Sequence, residues 1–299
     1  GDILCWRTPL KYLPVFACGL ALLSGCSGSQ PVVVASKNFT EQLVLGEIIA
    51  QQVEGRLHQQ VVRRFNLGGS LLAHQALLGK DVDLYPEYTG TAFTAILKHK
   101  PIPDAALVLE RVRAEYAANY GLKWCDPLGF DDSFAMVIRG ADARSGRYVT
   151  LSDAERRRDP WTLGVGYEFL TRVDGYETLM ASYPQLRWTG FPKTMDLGLL
   201  YRALEQGQVT MAAANTTDGL LSVLDVKVLA DDRKAFPPYQ ASIVVRYDAL
   251  HQHPGLEAAL AELSGKISAT EMRKLNYEVD GEHRPVHDVA AEFLASTQR

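Results

Sequence analysis

Past the first thirty residues, the hydrophobic pattern alternates between short continuous apolar runs and longer stretches with helical spacing. Val32-Val33-Val34-Ala35 reads as a short buried strand. From Thr40 to Leu57, apolar positions at Leu43, Ile48 or Ile49, and Val53 fall at helical intervals, and Thr40 is placed to cap that helix. Val61 to Phe65 predicts a second strand, broken by Gly68-Gly69-Ser70. Ser70 is placed to cap a helix from Leu71 to Leu78 that ends at Gly79. Val82 to Tyr85 predicts a third strand, and Thr91 to Lys98 another helix. A second block begins near Ser133, with strands at Phe134 to Ile138, Thr162 to Val165, Val209 to Ala213 and Val226 to Leu229. Helices are expected at Val173 to Tyr183 and Leu197 to Glu205, the latter stopped by Gly207. Ser242 to Arg246 is one more strand, and the C-terminal stretch is helical, including Gly255 to Lys266 and His287 to Ala295. Strands separated by helices in this way imply βαβ units and parallel sheets, hence an α/β fold. The expected division is one lobe from residues 32–132 plus 240–299 and a second from residues 133–239. Two crossings between lobes leave a cleft that can close by hinge motion on a small ligand.

The N-terminus adds a processing signal. Arg7 and Lys11 precede an apolar run from Tyr12 to Leu23, followed by Leu23-Ser24-Gly25-Cys26. That run is shorter than the roughly 20 apolar residues a membrane-spanning helix needs. With its basic flank and small residues before the cut, it reads as a secretory signal over residues 1–25. Leu-Ser-Gly-Cys resembles the bacterial lipobox, which makes Cys26 the lipidation site and residues 26–31 a flexible tether. Cys5 and Cys18 leave with the signal, so the mature domain keeps Cys125 without a disulfide partner, and beside Trp124 it reads as a buried small hydrophobe.

Composition narrows the function by exclusion. A formal net charge of −4 and the lack of any long Lys/Arg block argue against nucleic acid as a partner. There is no Gly-x-Ser-x-Gly elbow, no Walker-type phosphate loop and no Gly-x-Gly-x-x-Gly, so nothing points to an enzyme or a nucleotide cofactor. His251-x-His253 is followed by Pro254, and Pro285 interrupts the helical face between His283 and His287, so no metal site is expected.

Several strings carry a resemblance. Ser36-Lys37-Asn38-Phe39-Thr40-Glu41-Gln42, Asn66-Leu67-Gly68-Gly69 and Asp83 to Thr91 (DLYPEYTGT) are similar to segments of the osmoprotectant-binding proteins of ABC importers. So are Glu168 to Tyr176 (EFLTRVDGY), Thr217-Asp218-Gly219 and Phe236-Pro237-Pro238-Tyr239. These blocks are collinear over nearly the whole mature chain. The resemblance implies the two-lobed periplasmic-binding-protein fold of type II and capture of a quaternary-ammonium zwitterion such as glycine betaine. The cargo would pass to a separate ABC permease and ATPase, from an extracytoplasmic protein held at the membrane by its lipid anchor alone. It also implies site residues. An ammonium cage falls on Tyr88, Phe134, Asn215 and Tyr239, with Asp132 close by, and a carboxylate clamp falls on Lys37, Thr91 and Arg172. A trimethylammonium group has no N–H to donate, so aromatic faces must hold it, each worth about 0.5–2 kcal/mol. Ammonium and guanidinium groups suit a carboxylate through charge-assisted hydrogen bonds. Keeping both Lys37 and Arg172 favours a zwitterion over choline. Asn215 departs from the family pattern, where a tyrosine is usual, and Phe134 keeps a ring face without the hydroxyl. Asn215 is compatible with weaker glycine betaine binding, or with a larger ligand such as carnitine or another modified betaine that brings its own polar group. Choline as the cargo, and a sensory role for the lipoprotein, also stay open.

Overall fold

The computed structural model of the chain describes residues 1–2 and 30–297. The signal segment from residue 3 onward, Cys26 and most of the tether lie outside the described residues. The first sheet has strand order β2-β1-β3-β10-β4, built from β1 (Val32–Ala35), β2 (Val61–Arg64), β3 (Leu84–Tyr88), β4 (Leu122–Trp124) and β10 (Ala241–Arg246). The second has order β7-β6-β8-β5-β9, from β5 (Phe134–Arg139), β6 (Leu163–Val165), β7 (Lys193–Thr194), β8 (Met211–Asn215) and β9 (Val226–Leu229). In each, parallel strands (β1 with β2 and β3; β6 with β7 and β8) meet antiparallel partners, β10 in the first and β5 in the second. The two chain crossings touch through an antiparallel bridge between Asp131 and Gln240.

Helix α1 (Thr40–Leu57) follows β1 and is buried over most of its surface, with Val44, Leu45, Ile48, Ile49 and Val53 no more than 1% exposed. Thr40 does not cap it. The cap position is Phe39, extended and without a side-chain cap bond, while the Thr40 hydroxyl donates to Asp280 Oδ1 at 2.6 Å. Helix α2 (Ser70–Leu78) likewise starts one residue earlier than its sequence suggests, with Gly69 in the cap position.

The third strand runs Leu84–Tyr88, later than its apolar residues alone predict, and is buried throughout although it contains Pro86 and Glu87. Pro86 has no N–H to give a ladder. The β1 pairing accordingly stops at Val34 with Leu84, while β10 continues alongside to Tyr88. The expected helix at Thr91 to Lys98 is a short turn, Thr89–Thr91, followed by a wide-turned segment at Ala92–Ile96.

Several elements escaped the apolar pattern, among them the helix Ala105–Tyr120, β4, β7 and the short helices Gly140–Gly146, Leu151–Ala154 and Tyr247–Gln252. The first of these buries only Val108, Val112 and Tyr116, too narrow a stripe to stand out, yet Asp104 caps it through the Leu107 N–H at 3.0 Å and left-handed Gly121 (φ 66°) ends it.

The predicted helix over Val173 to Tyr183 is really two pieces, Val173–Glu177 and Thr178–Ser182, preceded by a separate short helix, Tyr167–Thr171. Gly175 breaks the run at φ −99°, ψ −117°, and a Cβ there would fall 2.2 Å from the Phe169 carbonyl oxygen. Arg172 is itself extended, at the junction between the Tyr167–Thr171 helix and Val173–Glu177. Cys125 is buried and unpaired, and burial pushes its thiol up to about 12, which makes it inert as a nucleophile.

Candidate functional site

All eight side chains singled out for the cage and the clamp line one cavity of about 550 Å3 between the two sheets. Tyr88 ends β3, Lys37 and Phe39 follow β1, and Thr91 sits one turn past Tyr88. From the second sheet, Phe134 opens β5 and Asn215 closes β8, directly opposite each other in the antiparallel ladder. Asp132 and Tyr239 stand on the two crossings, joined through the Asp132 N–H to the Tyr239 carbonyl at 3.0 Å.

Each ring is held in place. The Tyr88 hydroxyl donates to Glu41 Oε1 at 2.7 Å and the Tyr239 hydroxyl to Asp174 Oδ2 at 2.6 Å. Phe134 meets Phe169, Phe236 and Tyr239 edge-on, at centroid distances of 5.0, 5.4 and 5.7 Å. Phe39 stacks on Tyr88 at 6.4 Å and 21°.

The two cations of the clamp already have partners. Lys37 Nζ lies 2.6 Å from Glu87 Oε1, with both side chains essentially out of solvent, and donates to Ser70 Oγ at 3.3 Å. Its ammonium also stands 4.7 Å from the Tyr88 ring centroid. Arg172 meets Asp174 with Nε at 2.9 Å and Nη2 at 2.5 Å, and its Nη2 reaches Thr91 Oγ1 at 3.0 Å. Its guanidinium carbon lies 5.3 Å from the Phe134 centroid and 5.9 Å from that of Tyr239. Burial opposes charge on both partners, but for Asp174 the Arg172 charge and hydrogen bonds outweigh it and hold the carboxyl below its usual value. The same partnership keeps the Arg172 guanidinium above its ordinary value.

The other wall is acidic. Glu41, Asp132, Asp218 and Asp280 all border the cavity. Burial raises Glu41 even though Thr217, Tyr88 and Asn276 hydrogen-bond to it, and it raises Asp132, with the Glu41 and Asp218 charges adding to the effect. Asp218 is pushed up to about 7 by burial, against accepted bonds from the Asn215 N–H at 3.0 Å and the Tyr201 hydroxyl at 2.8 Å. Thr217 joins two of these acids: its hydroxyl donates to Glu41 and its N–H to Asp132 Oδ1 at 3.3 Å. Asn276, from the helix Ala269–Asp280, donates to Glu41 and to the Thr217 carbonyl.

Sequence reasoning passed over Phe39, Glu41, Glu87, Glu168, Phe169 and Asn276. Five of these lie inside the strings that carry the resemblance, but their contacts are with neighbouring side chains, and spacing does not reveal a partner. Asn276 belongs to the C-terminal helices, where no motif pointed. The histidine pairs are dispersed: His287 Nδ1 faces Glu47 at 3.0 Å, and no three metal-binding side chains cluster among the described residues. Nor, among those residues, is any helix long and apolar enough to cross a membrane.

Residues 30–296 match the family described as the substrate binding domain of the ABC-type glycine betaine transport system. The chain belongs to this family. It is 33% identical over 280 residues to the carnitine transport binding protein OpuCC of Listeria monocytogenes, covering 93% of this chain and 90% of that one. It is 34% identical over 266 residues to the ergothioneine transport permease/ergothioneine binding protein EgtU of Helicobacter pylori, covering 89% of this chain and 47% of that protein. Among solved structures, that of a glycine betaine/carnitine/choline ABC transporter protein superposes with a TM-score of 0.75 at 32% identity, covering 89% of this chain and 98% of that one. The two sheets are therefore the two lobes of a type II periplasmic binding protein, and the family's work is transport, by extracytoplasmic binding of substrate for an ABC system.

Proposed function

We propose that this protein captures a quaternary-ammonium zwitterion larger than glycine betaine in the interlobe cavity and hands it to a separate ABC permease and ATPase. The convergence of Tyr88, Phe134, Tyr239 and Asp132 with Lys37, Thr91 and Arg172 on one cavity carries the reading. The rings and Asp132 suit the ammonium through their negative potential, while Thr91, Arg172 and Lys37 suit the carboxylate. About 550 Å3 lies within the ~300–1,000 Å3 range of pockets for drug-sized ligands. That is roomier than so small a molecule as glycine betaine requires, and Asn215 supplies an amide where a fourth ring would narrow the space. Carnitine and ergothioneine, named for two relatives, both bring a longer polar arm. The same proposal takes residues 1–25 as a signal, Cys26 as the lipid anchor and residues 26–31 as the tether, supported by the Leu23-Ser24-Gly25-Cys26 string. It divides the lobes at 132/133 and 239/240, supported by the sheet membership of β5 and β10.

Calorimetric titration with glycine betaine, choline, carnitine and ergothioneine tests this directly. The expected order places carnitine or ergothioneine tightest and choline weakest. Choline binding as tightly as the zwitterions would remove the clamp from the reading, and no heat with any of the four would remove the ligand class.

A further inference from the structure

Helix α2 lacks a cap from its own segment. Gly69 occupies the cap position and has no side chain to offer, so the first amides of the helix need another acceptor. The acceptor comes from across the cleft. Glu168, on the helix Tyr167–Thr171 of the other lobe, accepts the Ser70 N–H at 2.7 Å through Oε1, and Ser70 Oγ lies 3.4 Å from its Oε2. A carboxylate at a helix N-terminus meets both the unsatisfied N–H groups and the positive end of the helix dipole. Gly69 makes the approach possible, because a Cβ there would fall 2.3 Å from Glu168 Oε1. Gly69 itself has φ −84°, a conformation any residue adopts, so the absence of a side chain serves proximity and not backbone freedom. The contact adjoins the clamp on both sides: Ser70 Oγ accepts from Lys37 Nζ at 3.3 Å, and Arg172 Nη1 stands 3.6 Å from Glu168 Oε2.

We propose that Glu168 is a positioning residue for ligand capture, a latch carboxylate that caps helix α2 across the cleft and so holds the two lobes together around whatever ligand the cavity takes. This rests on the reading of the cavity as a ligand site. Because the latch closes protein on protein, its loss weakens ligands with and without a carboxylate alike. A clamp residue behaves differently, distinguishing the two.

The test is a double-mutant cycle at Gly69 and Glu168, read by calorimetric titration with carnitine and choline. Glu168→Ala is expected to weaken both ligands by about tenfold, and Glu168→Gln by less, since the amide oxygen still accepts but carries no charge. Gly69→Ala is expected to weaken both by a similar factor in the wild-type background and to add nothing in the Glu168→Ala background. Additive losses would mean that Gly69 serves the ligand and not the latch. A loss confined to carnitine would mean that Glu168 acts through Arg172, and unchanged affinity would mean that the contact holds nothing; each overturns the proposal. Hydrogen exchange at the Ser70 to Ala73 amides, with no ligand added, gives a second readout. Faster exchange in Glu168→Ala supports the latch and unchanged exchange overturns it. That measurement decides the matter even if wild-type protein binds neither ligand, so the latch and the reading of the cavity fail separately.

Discussion

Removing the ammonium of Lys37 separates its support of the cavity wall, which the ion pair with Glu87 shows, from the proposed contact with a ligand carboxylate. In Lys37→Met the Glu87 carboxylate keeps the Tyr88 N–H at 2.8 Å and the Tyr85 hydroxyl at 3.2 Å, but loses its ion-pair partner at a position with no solvent exposure. Breaking one side of a buried pair costs about 3–5 kcal/mol. At roughly 2–4 °C per kcal/mol for a chain of this size, the melting temperature should fall by about 6–20 °C. Adding Glu87→Met removes the stranded charge, and an apolar pair of similar volume should restore most of the stability. Affinity should not follow. A charge-assisted hydrogen bond is worth about 1.5–3 kcal/mol, and because Glu87 already takes the shortest contact of Lys37, the lower end applies. The stable double variant is therefore expected to bind carnitine about tenfold more weakly than wild type while choline changes by less than about threefold. Thermal unfolding and calorimetric titration of the three proteins measure both effects. Equal weakening of carnitine and choline would refute the clamp role, and would leave Lys37 as the cation that steadies the Tyr88 ring.

Two further outcomes follow from the cavity walls. Asn215→Tyr places a ring opposite Phe134, and a fourth face worth up to about 2 kcal/mol should tighten glycine betaine by up to roughly 30-fold while excluding bulkier ligands; titration showing no gain for glycine betaine would refute the account of the wider cavity. Asp218 has a folded-state value of about 7 against 3.8 for the free group. A carboxyl raised on folding contributes stability that is fully present below about 4 and is lost as pH climbs toward 7. Asp218→Asn, which can still accept from Tyr201 and the Asn215 N–H, should therefore gain melting temperature relative to wild type between pH 4 and 7 and run parallel above it. A pH-independent difference would show that Asp218 ionises freely in the fold.

The architecture was legible because burial on both faces turns β1, β5, β6 and β10 into continuous apolar runs, and such runs separated by helices admit few topologies. The sites of error share a cause. Glu87 and Pro86 sit inside a fully buried strand, so a pattern reading stopped the strand before them. The Val173 to Tyr183 region has helical spacing, yet Gly175 breaks it, and Arg172, extended just before it, reaches across to Thr91. Thr40 and Ser70 look like helix caps, but the hydroxyl of the first goes to Asp280 and the cap of the second comes from Glu168, 98 residues away. In each case a long-range partner overrode a local preference, and partners of that kind leave no mark in spacing. Tyr88, Phe134 and Tyr239 were recognisable through motif resemblance; the carboxylates that orient two of them were not.

Those carboxylates explain how a cavity with charged walls can be ready for a ligand. Each lobe neutralises its own cation, Lys37 with Glu87 in the first and Arg172 with Asp174 in the second. Two cavity tyrosines are tied to buried acids, Tyr88 to Glu41 and Tyr239 to Asp174. Ring orientation and cation placement are thus set largely within the protein before a ligand contributes anything, which lowers the ordering cost of binding. The cleft itself is crossed by a small set of contacts, among them Glu168 to Ser70, Arg172 to Thr91, Thr217 to Glu41, and Asn276 to the Thr217 carbonyl. The first two flank the basic side of the cavity and the last two the acidic side. A zwitterion presents opposite charges to those two sides and can favour closure at both, whereas a simple cation has a counterpart at one alone.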